Sequence, residues 1–427
     1  MAPRKLKVIS LYTGIGGLDF GFEAAGFNTA AAVELDKPAC RTVRLNRPGW
    51  GLIEGDIHDV SSADILARAG LQAGEADVLI GGPPCQPFSK SSYWVNGDSL
   101  RLDDPRADTL TAYLRVLRDT RPKAFLLENV YGLAYKGKDE GLRHLLAGIE
   151  EINRDVGTSY TVKWKMLNAA HFGVPQLRER VFLIGSREGK VFQFPAPTHG
   201  APDDVDLLQD REPYRTSWDA IGDLPASPDE ASIEVGGKWG GLLPSIPEGQ
   251  NYLWHTNRGG GLPLFGWRAR YWSFLLKLSK NQPSWTIQAQ PGSSIGPFHW
   301  QNRKLTSREM ARLQTFPDDL KFECGRTDIQ KMIGNAVPSA LAAVLAREIK
   351  RQFLGNYRDL DSLNLIPPIR RPVPAPERTA TVPKEYRPMI GEHADHPGER
   401  RSSVKASRSG VQRRLEEFQS SLMLAVE

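Results

Sequence analysis

The chain has 427 residues, too many for one average domain, and its 40% hydrophobic and 25% charged residues exclude a wholly disordered protein. Its 55 lysines and arginines outnumber its 50 aspartates and glutamates, so the charge permits a polyanionic partner without requiring one. The three cysteines, Cys40, Cys85 and Cys324, lie far apart, which argues against a disulfide framework and predicts no metal site. We find no signal-peptide core and no run of 18 apolar residues, so we expect a cytoplasmic protein without a membrane partner.

Short apolar runs alternate with helical patterns from Leu6 to about Gly185, which predicts an α/β domain built on a sheet wound with helices. Seven runs are predicted to be its strands: Leu6–Ser10, Ala30–Leu35, Leu52–Asp56, Asp77–Gly81, Ala124–Asn129, Thr161–Leu167 and Val181–Gly185. Ligands of such sheets bind beyond the carboxyl ends of the strands, so the residues that follow these runs are the candidates for function.

A glycine-rich turn, LYTGIGGLD, follows the first strand and precedes a helical pattern, which lets a ligand approach the backbone at a helix N-terminus. Counting from Gly14, the sixth position of a dinucleotide GxGxxG motif is Asp19 instead of glycine, which disfavours a dehydrogenase. Glu34 ends the second strand and can accept hydrogen bonds from a ribose, and Asp56 ends the third. A plain tight turn is the alternative, but the turn and both carboxylates together favour a nucleoside-containing cofactor.

The exits of the fourth and fifth strands carry reactive side chains. Cys85 lies between prolines in the loop GGPPCQPFS, which is too polar and rigid for a core, so we interpret it as a nucleophile and not as buried filler. Glu128, at the end of the fifth strand, is either a general acid facing the same pocket or a helix cap or solvated strand end. The segment QLRER, residues 176–180, alternates Gln, Arg and Arg on one strand face, which without further information indicates a solvated face.

Beyond about Arg187 the sequence becomes rich in glycine, proline and aromatic residues, which predicts a second, loop-rich and partly β domain. Helical patterns return at Thr306–Phe316 and Ile333–Leu354 and are expected to close the first domain. We therefore predict a catalytic domain of residues 1–187 and 303–356, a small domain of residues 188–302, and a proline-rich flexible tail of residues 357–427 with a possible terminal helix and no essential role in turnover.

The ordered segments LYTGIGG, VELD, EGDI, GGPPCQPFS, ENV, QLRER, RKLTSREMARLQTFPDD and IGNAVP resemble the motifs of the DNA (cytosine-5) methyltransferases. They lie between residues 11 and 338 in the family's usual order, whereas the tail after about residue 356 has no counterpart. The resemblance implies a Rossmann-like methyltransferase domain with a mostly parallel mixed sheet, a smaller target-recognition domain, S-adenosylmethionine as cofactor and double-stranded DNA as partner.

The resemblance also implies roles for individual residues. Cys85 would be the nucleophile, Glu128 would contact the target base, and Arg178 and Arg180 would assist at the pocket. The implied cofactor contacts are Tyr12, where the family commonly has phenylalanine, and Gly14, Gly16, Gly17, Glu34, Asp56, Ile57, Pro84 and Asn335. The candidate DNA-binding residues are Ser89 and Arg106, which bound a predicted mobile loop, and Arg258, Arg268 and Arg270 of the small domain.

Two alternatives remain at this point. A tRNA cytosine methyltransferase resembles the DNA enzymes, but those RNA enzymes have a short region after QxRxR with a Cys-Phe-Thr element, and this chain has no cysteine between Cys85 and Cys324. A non-catalytic relative is disfavoured by the intact Cys85, Glu128 and arginines. We expect a monomer, with a cognate restriction endonuclease as a possible partner in the same cell.

Overall fold

The structure, a computed structural model, describes residues 5–84, 108–134, 139–201, 211–225, 230, 233–267, 272–355 and 370–391. Its main element is a seven-stranded sheet that contains all seven predicted strands. The strands of this sheet are β1 (Leu6–Leu11), β2 (Phe27–Glu34), β3 (Leu52–Glu54), β4 (Val78–Gly81), β5 (Ala124–Asn129), β6 (Thr161–Asn168) and β8 (Glu179–Ser186). The boundaries shift by three residues or fewer; β2, for example, begins at Phe27, before its alanines, because it pairs with the whole of β1.

The strand order is β3-β2-β1-β4-β5-β8-β6. β8 pairs antiparallel with both of its neighbours, and the other pairs are parallel. This confirms the mostly parallel mixed sheet. The carboxyl ends of β1, β2, β4 and β5 therefore lie along one edge, which brings the predicted motif residues to the same side of the sheet.

Helices cover both faces of the sheet. The described helices are α1 (Gly17–Ala24), α2 (Lys37–Asn46), α3 (Ser62–Ala69), α4 (Asp108–Thr120), α5 (Glu140–Val156), α6 (Ser217–Ile221), α7 (Ser307–Leu313), α8 (Arg326–Asn335) and α9 (Ser339–Phe353). Side chains of alternate strand residues pack on opposite faces: Leu79 contacts the core beneath α3, α4 and α5, whereas Ile80 contacts the core beneath α1 and α9. α1 and α9, which are far apart in the sequence, thus pack together on the same face of the sheet.

The predicted helix Ile333–Leu354 is in fact the end of α8 and the whole of α9, separated by residues 336–338. Pro338 has no amide hydrogen, so it can begin α9 but cannot continue α8. Within the described ranges, the run Arg326–Phe353 is apolar and long enough to span a membrane by composition, but 67% of its most apolar window is buried in the protein. It is therefore a core element of the α/β domain.

The described part of residues 188–302 is loop-rich, as predicted, and its β structure is sparse. Its two-residue strands are β9 (His199–Gly200), which pairs with β10 (Glu212–Pro213), and β11 (Ser284–Trp285), which pairs with β7 (Gln176–Leu177) from before the region. The core of this region is a cluster of aromatic and aliphatic side chains that includes Tyr252, Leu275 and Phe298.

The predicted flexible tail differs from the structure in its middle part. Residues 370–391, which we name the C-terminal strap, run without regular structure as far as a 3-10 turn at Lys384–Met389 and pack on the loop-rich region. Val382 and Tyr386 of the strap are buried in the core of that region. The prolines exclude a helix or central strand, but they do not prevent an extended chain from docking through side chains. The predicted terminal helix lies outside the described residues.

Candidate active site

A cavity of about 1100 Å³ lies at the carboxyl edge of the sheet. Its wall comes from the exits of β1, β2, β4 and β5, the segment after β3, and the end of α8. The predicted residues that line it are Tyr12, Gly14, Gly17, Glu34, Asp56, Ile57, Pro84, Glu128, Arg180 and Asn335. Residues more than 300 positions apart in the sequence thus line one cavity, as expected because the strand exits lie along one edge of the sheet.

The glycine-rich turn takes left-handed backbone conformations. Tyr12, Gly14 and Gly16 have φ angles of 54°, 57° and 88°. The Tyr12 hydroxyl donates a hydrogen bond of 2.7 Å to the carbonyl of Thr109 in α4, which fixes the ring at the cavity wall. Gly16 does not line the cavity: a Cβ at this position would lie 2.7 Å from the Trp50 ring, so glycine is required here for packing and for the turn.

The Glu34 carboxylate binds the backbone around the turn. Its Oε2 accepts a hydrogen bond of 2.6 Å from the Gly14 amide, and its Oε1 accepts from the amides of Leu35 (2.9 Å) and Asp36 (2.7 Å). Burial raises the pKa of Glu34, while these amide bonds favour the ionised form. Glu34 therefore joins the first two strand exits as well as facing the cavity.

A buried hydrogen-bond network lies beneath the same turn. Asp19, in the first turn of α1, is 1% exposed and accepts hydrogen bonds from the hydroxyls of Ser10 (3.0 Å) and Thr29 (2.9 Å). Thr13 in turn donates to Ser10 Oγ at 3.0 Å. Burial raises the pKa of the Asp19 carboxyl from its ordinary value to about 7, although both hydroxyl bonds lower it. The residue that replaces the last glycine of a dinucleotide motif is thus a buried acid that supports the turn.

We expect Asp19→Asn to change the pH dependence of stability. Because the folded-state pKa lies above the unfolded-state value, the Asp19 contribution to the unfolding free energy is present below about pH 4 and is lost as the pH rises through about 7. The difference in unfolding free energy between wild type and variant should change by up to about 1.4 kcal/mol per pH unit in this window. Denaturant titrations measure it, with Asp155→Asn at an exposed position of α5 as control. Parallel pH curves for wild type and Asp19→Asn would contradict the prediction.

Glu128 and Arg180 form a buried ion pair in the cavity wall. Arg180 Nε lies 2.8 Å from Glu128 Oε1, and their side chains are 15% and 9% exposed. Burial raises the pKa of Glu128, and this effect outweighs the lowering by Arg180 and Arg178. A Cβ on Gly82 would lie 2.9 Å from Glu128 Oε2, so the glycine before the prolines leaves room for this carboxyl. The Glu128 carboxyl is therefore not a solvated strand end. Together with the Arg180 guanidinium it can accept hydrogen bonds from a polar ring in the cavity and donate hydrogen bonds to it.

The strand exit before the cysteine is anchored beside this pair. The Asn129 amide donates to the Pro83 carbonyl at 3.2 Å, and Thr109 donates to the Pro84 carbonyl at 3.3 Å. Pro84 lines the cavity and immediately precedes Cys85 in the chain. Cys85 lies outside the described residues, as do Ser89, Arg106, Arg268, Arg270 and the predicted mobile loop.

Arg178 is not part of the cavity lining, which corrects the expectation that both arginines of QLRER face the pocket. The strand is interrupted at Arg178, between β7 and β8, so its side chain does not share the environment of Arg180. It is fully buried, and its guanidinium donates to the carbonyls of Gly334 (2.7 Å) and Ile287 (3.4 Å). Arg178 therefore holds the end of α8, next to Asn335, against the segment that leads out of the loop-rich region.

Gln176 continues this buried contact. Its side-chain amide donates to the Leu313 carbonyl at 3.2 Å and accepts from the Ile287 amide at 3.2 Å. Gln314 then donates to the carbonyls of Ile333 (2.7 Å) and Ala336 (3.1 Å). The interpretation of QLRER as a solvated strand face is therefore wrong, since Gln176 and Arg178 are both completely buried.

Some cavity residues were not predicted from the sequence. Leu35 is 61% exposed and lines the cavity next to Glu34, which provides an apolar surface for a flat ring. Lys331 of α8 pairs with Asp36 at 2.6 Å, and both also line the cavity. The sequence does contain a signal for Leu35, because an apolar residue directly follows Glu34 in the segment VELD. The ion pair joins positions 295 residues apart, for which the sequence has no local signal.

Arg258, the described DNA-binding candidate, lies outside the cavity lining. Its guanidinium stacks over the Trp267 ring at 3.9 Å from the centroid. Among the described residues, no three His, Cys, Asp or Glu side chains are grouped in a way that could hold a metal ion. The described cavity lining presents carboxyls, backbone amides, Arg180 and the lysines Lys37 and Lys331.

Comparison with known proteins gives consistent results. The model of the family described as C-5 cytosine-specific DNA methylase matches residues 6–351. The Type II methyltransferase M.SacI of Streptomyces achromogenes is 40% identical over 372 residues, which cover 82% of this chain and 93% of the relative. M.NgoFVII of Neisseria gonorrhoeae is 34% identical over 365 residues, covering 84% and 90%.

Solved structures share the fold. A protein described as a DNA modification methyltransferase encoded within an E. coli prophage superposes with a TM-score of 0.56 at 25% identity, covering 82% of this chain and all of that one. The S. pombe Dnmt2 methyltransferase superposes with a TM-score of 0.53 at 19% identity, covering 81% and 98%, which shows the fold alone. Because the family model spans most of the chain, this protein belongs to the C-5 cytosine-specific DNA methylases and is a DNA (cytosine-5) methyltransferase.

Proposed function

We propose that this enzyme transfers the methyl group of S-adenosylmethionine to carbon 5 of one specific cytosine in double-stranded DNA, with the base flipped out of the helix and Cys85 added to carbon 6. The observation that carries this proposal is the buried pair of Glu128 and Arg180, which lines the same cavity as Pro83 and Pro84, the residues directly before Cys85 in the chain. It supplies matched donors and an acceptor where a cytosine would have to be held.

The cavity residues fit S-adenosylmethionine. Glu34 presents a carboxylate that can accept hydrogen bonds from the ribose hydroxyls, and Leu35 presents an apolar surface for the adenine ring. The space around Gly14 is open, since a Cβ there would have no atom within 4 Å, so a ligand can lie against the backbone. We assign the cofactor to Tyr12, Gly14, Gly17, Glu34, Asp56, Ile57, Pro84 and Asn335, with Gly16 shaping the turn.

The chemistry requires a thiolate because carbon 5 of cytosine is too weak a nucleophile to accept a methyl group unaided. The Cys85 thiolate adds to carbon 6, and the electron pair of the 5,6 double bond becomes available at carbon 5. S-adenosylmethionine supplies the electrophilic methyl group. Loss of the carbon 5 proton to water or hydroxide then restores the double bond and expels the Cys85 thiolate.

Glu128 and Arg180 stabilise the charge that develops on the ring. Burial raises the pKa of Glu128, and in its protonated form this carboxyl donates to ring nitrogen 3, while Arg180 donates to the exocyclic oxygen. We assign Arg178 a different role, in positioning the end of α8 and the segment at Ile287, to whose carbonyls its guanidinium donates.

Neither reacting carbon is accessible in a duplex, so the base must leave the stack, at a cost of a few kcal/mol. The cavity of about 1100 Å³ has room for a nucleoside cofactor and a base together. We further propose that the enzyme acts as a monomer in the cytoplasm, with Ser89, Arg106, Arg258, Arg268 and Arg270 contacting DNA. The Type II methyltransferase relatives suggest a cognate restriction endonuclease as its cellular partner.

The proposal is tested by mapping 5-methylcytosine in DNA from cells that express the protein, which gives the target sequence. A duplex with 5-fluorocytosine at that target should then trap the enzyme covalently when S-adenosylmethionine is present, because fluorine cannot leave as a proton. The same duplex with cytosine should be methylated and released. If RNA from these cells contains the methylated cytosine and their DNA does not, the protein is a tRNA cytosine methyltransferase and the proposal is wrong.

A further inference from the structure

The C-terminal strap contacts a buried lysine of the loop-rich region, Lys280. Lys280 Nζ contacts Glu248 at 2.8 Å, and both side chains are nearly inaccessible, at 4% and 6% exposure. The strap supplies two more acceptors, the Glu377 carboxylate at 3.0 Å and the Ala375 carbonyl at 3.1 Å. These three acceptors match the three donors of an ammonium group, so the strap completes the environment of a buried lysine.

The strap also enters the apolar core of the region. Its Tyr386 is buried, stacks against the Trp239 ring at a centroid distance of 6.0 Å, and donates to the Lys238 carbonyl at 2.9 Å. Val382 is buried in the same cluster, and the Ala380 amide donates to the Pro244 carbonyl at 2.9 Å. Aromatic burial and ion pairing together fix the strap along the region.

This core supports the segment that carries Arg258. Trp239, which Tyr386 contacts, packs edge-on against Phe265 at 5.1 Å, and Phe265 lies two residues before Trp267. Trp267 is the ring on which the Arg258 guanidinium stacks. The far end of the strap reaches the same segment directly, because the Gly391 amide donates to the Pro263 carbonyl at 3.4 Å.

We propose that the strap is a positioning element for DNA recognition: it holds the segment of residues 254–267, and with it Arg258, in the geometry that distinguishes the target sequence from other DNA. This inference rests on the proposed function, in which Arg258 contacts DNA. The strap touches neither DNA nor cofactor in this role. Its effect is therefore on the ratio between the affinities for target and non-target duplexes and not on cofactor binding.

The test uses the full-length enzyme with single substitutions in the strap. The probes are a duplex with the sequence found by methylation mapping and a duplex with that sequence scrambled. We expect Tyr386→Ala to lower the ratio of the two affinities about tenfold, and Glu377→Gln to lower it by a smaller factor because Glu248 still pairs with Lys280. Glu385→Gln removes the same charge from an exposed strap position and should leave the ratio unchanged.

The dissociation constant for S-adenosylmethionine should stay unchanged in every variant, because the cavity contains no strap residue. If Tyr386→Ala fails to bind the cofactor and is misfolded, Tyr386→Phe, which loses only the hydrogen bond to Lys238, takes its place with an expected fall of about threefold. A folded Tyr386 variant with the wild-type ratio overturns the proposal, and so does an equal loss of affinity for both duplexes. Wild-type enzyme that neither binds nor methylates DNA would instead refute the proposed function.

Discussion

Cys85→Ser is expected to lower kcat for methyl transfer by at least about 10³-fold, because a serine hydroxyl is not ionised near neutral pH and cannot add to carbon 6 as a thiolate does. Cofactor affinity should stay within about twofold of wild type, since the assigned cofactor contacts do not involve the sulfur. The measurement is the transfer of labelled methyl groups to the mapped duplex, together with calorimetric titration of S-adenosylmethionine.

Cys324→Ser is the matched control. Cys324 is half-buried and does not line the cavity, so this variant should keep wild-type turnover. The 5-fluorocytosine duplex should trap Cys324→Ser but not Cys85→Ser. Turnover by Cys85→Ser near the wild-type rate would exclude covalent catalysis through this residue.

Glu34→Ala is expected to weaken S-adenosylmethionine binding by about 1.5 to 3 kcal/mol, roughly a 10- to 150-fold rise in the dissociation constant. The variant loses the proposed ribose contacts, and it also releases the amides of Gly14, Leu35 and Asp36 that the carboxylate now binds. Isothermal titration calorimetry measures the change directly.

Glu54→Ala is the control for this experiment. Glu54 ends the neighbouring strand β3, pairs with Arg44 at 2.6 Å and does not line the cavity, so its removal should leave cofactor affinity unchanged. If Glu34→Ala folds and binds the cofactor as tightly as wild type, Glu34 only caps the backbone and the ribose lies elsewhere.

Much of the fold and of the cavity can be predicted from the sequence because both depend on local patterns. Apolar runs with flanking glycines identify the strands of a parallel sheet, and parallel strands bring their exits to one edge. Tyr12, Glu34 and Glu128 each follow or end such a run, so their common location follows from the topology alone. Their place in the cavity lining agrees with this expectation.

Other features depend on long-range contacts that no local pattern contains. The alternation in QLRER suggests one face for Arg178 and Arg180, but the strand breaks at Arg178, and β7 before the break pairs with β11, more than a hundred residues away. The described prolines Pro372, Pro374 and Pro376 lie in chain without helix or strand, as predicted. Prolines do not indicate which surface an extended chain packs against, and here Tyr386 packs against Trp239.

The packing of α1 against α9 determines when the domain can be completed during synthesis. The sheet face that carries Val8, Ile80 and Leu126 is covered by α9, whose last residue is Phe353, far beyond the last strand. A nascent chain that has emerged only as far as β8 therefore exposes this apolar face to solvent. It stays exposed while the whole loop-rich region is translated, which at about 5 to 20 residues per second takes several seconds or more. The α/β domain therefore cannot complete its core until the loop-rich region has been synthesised.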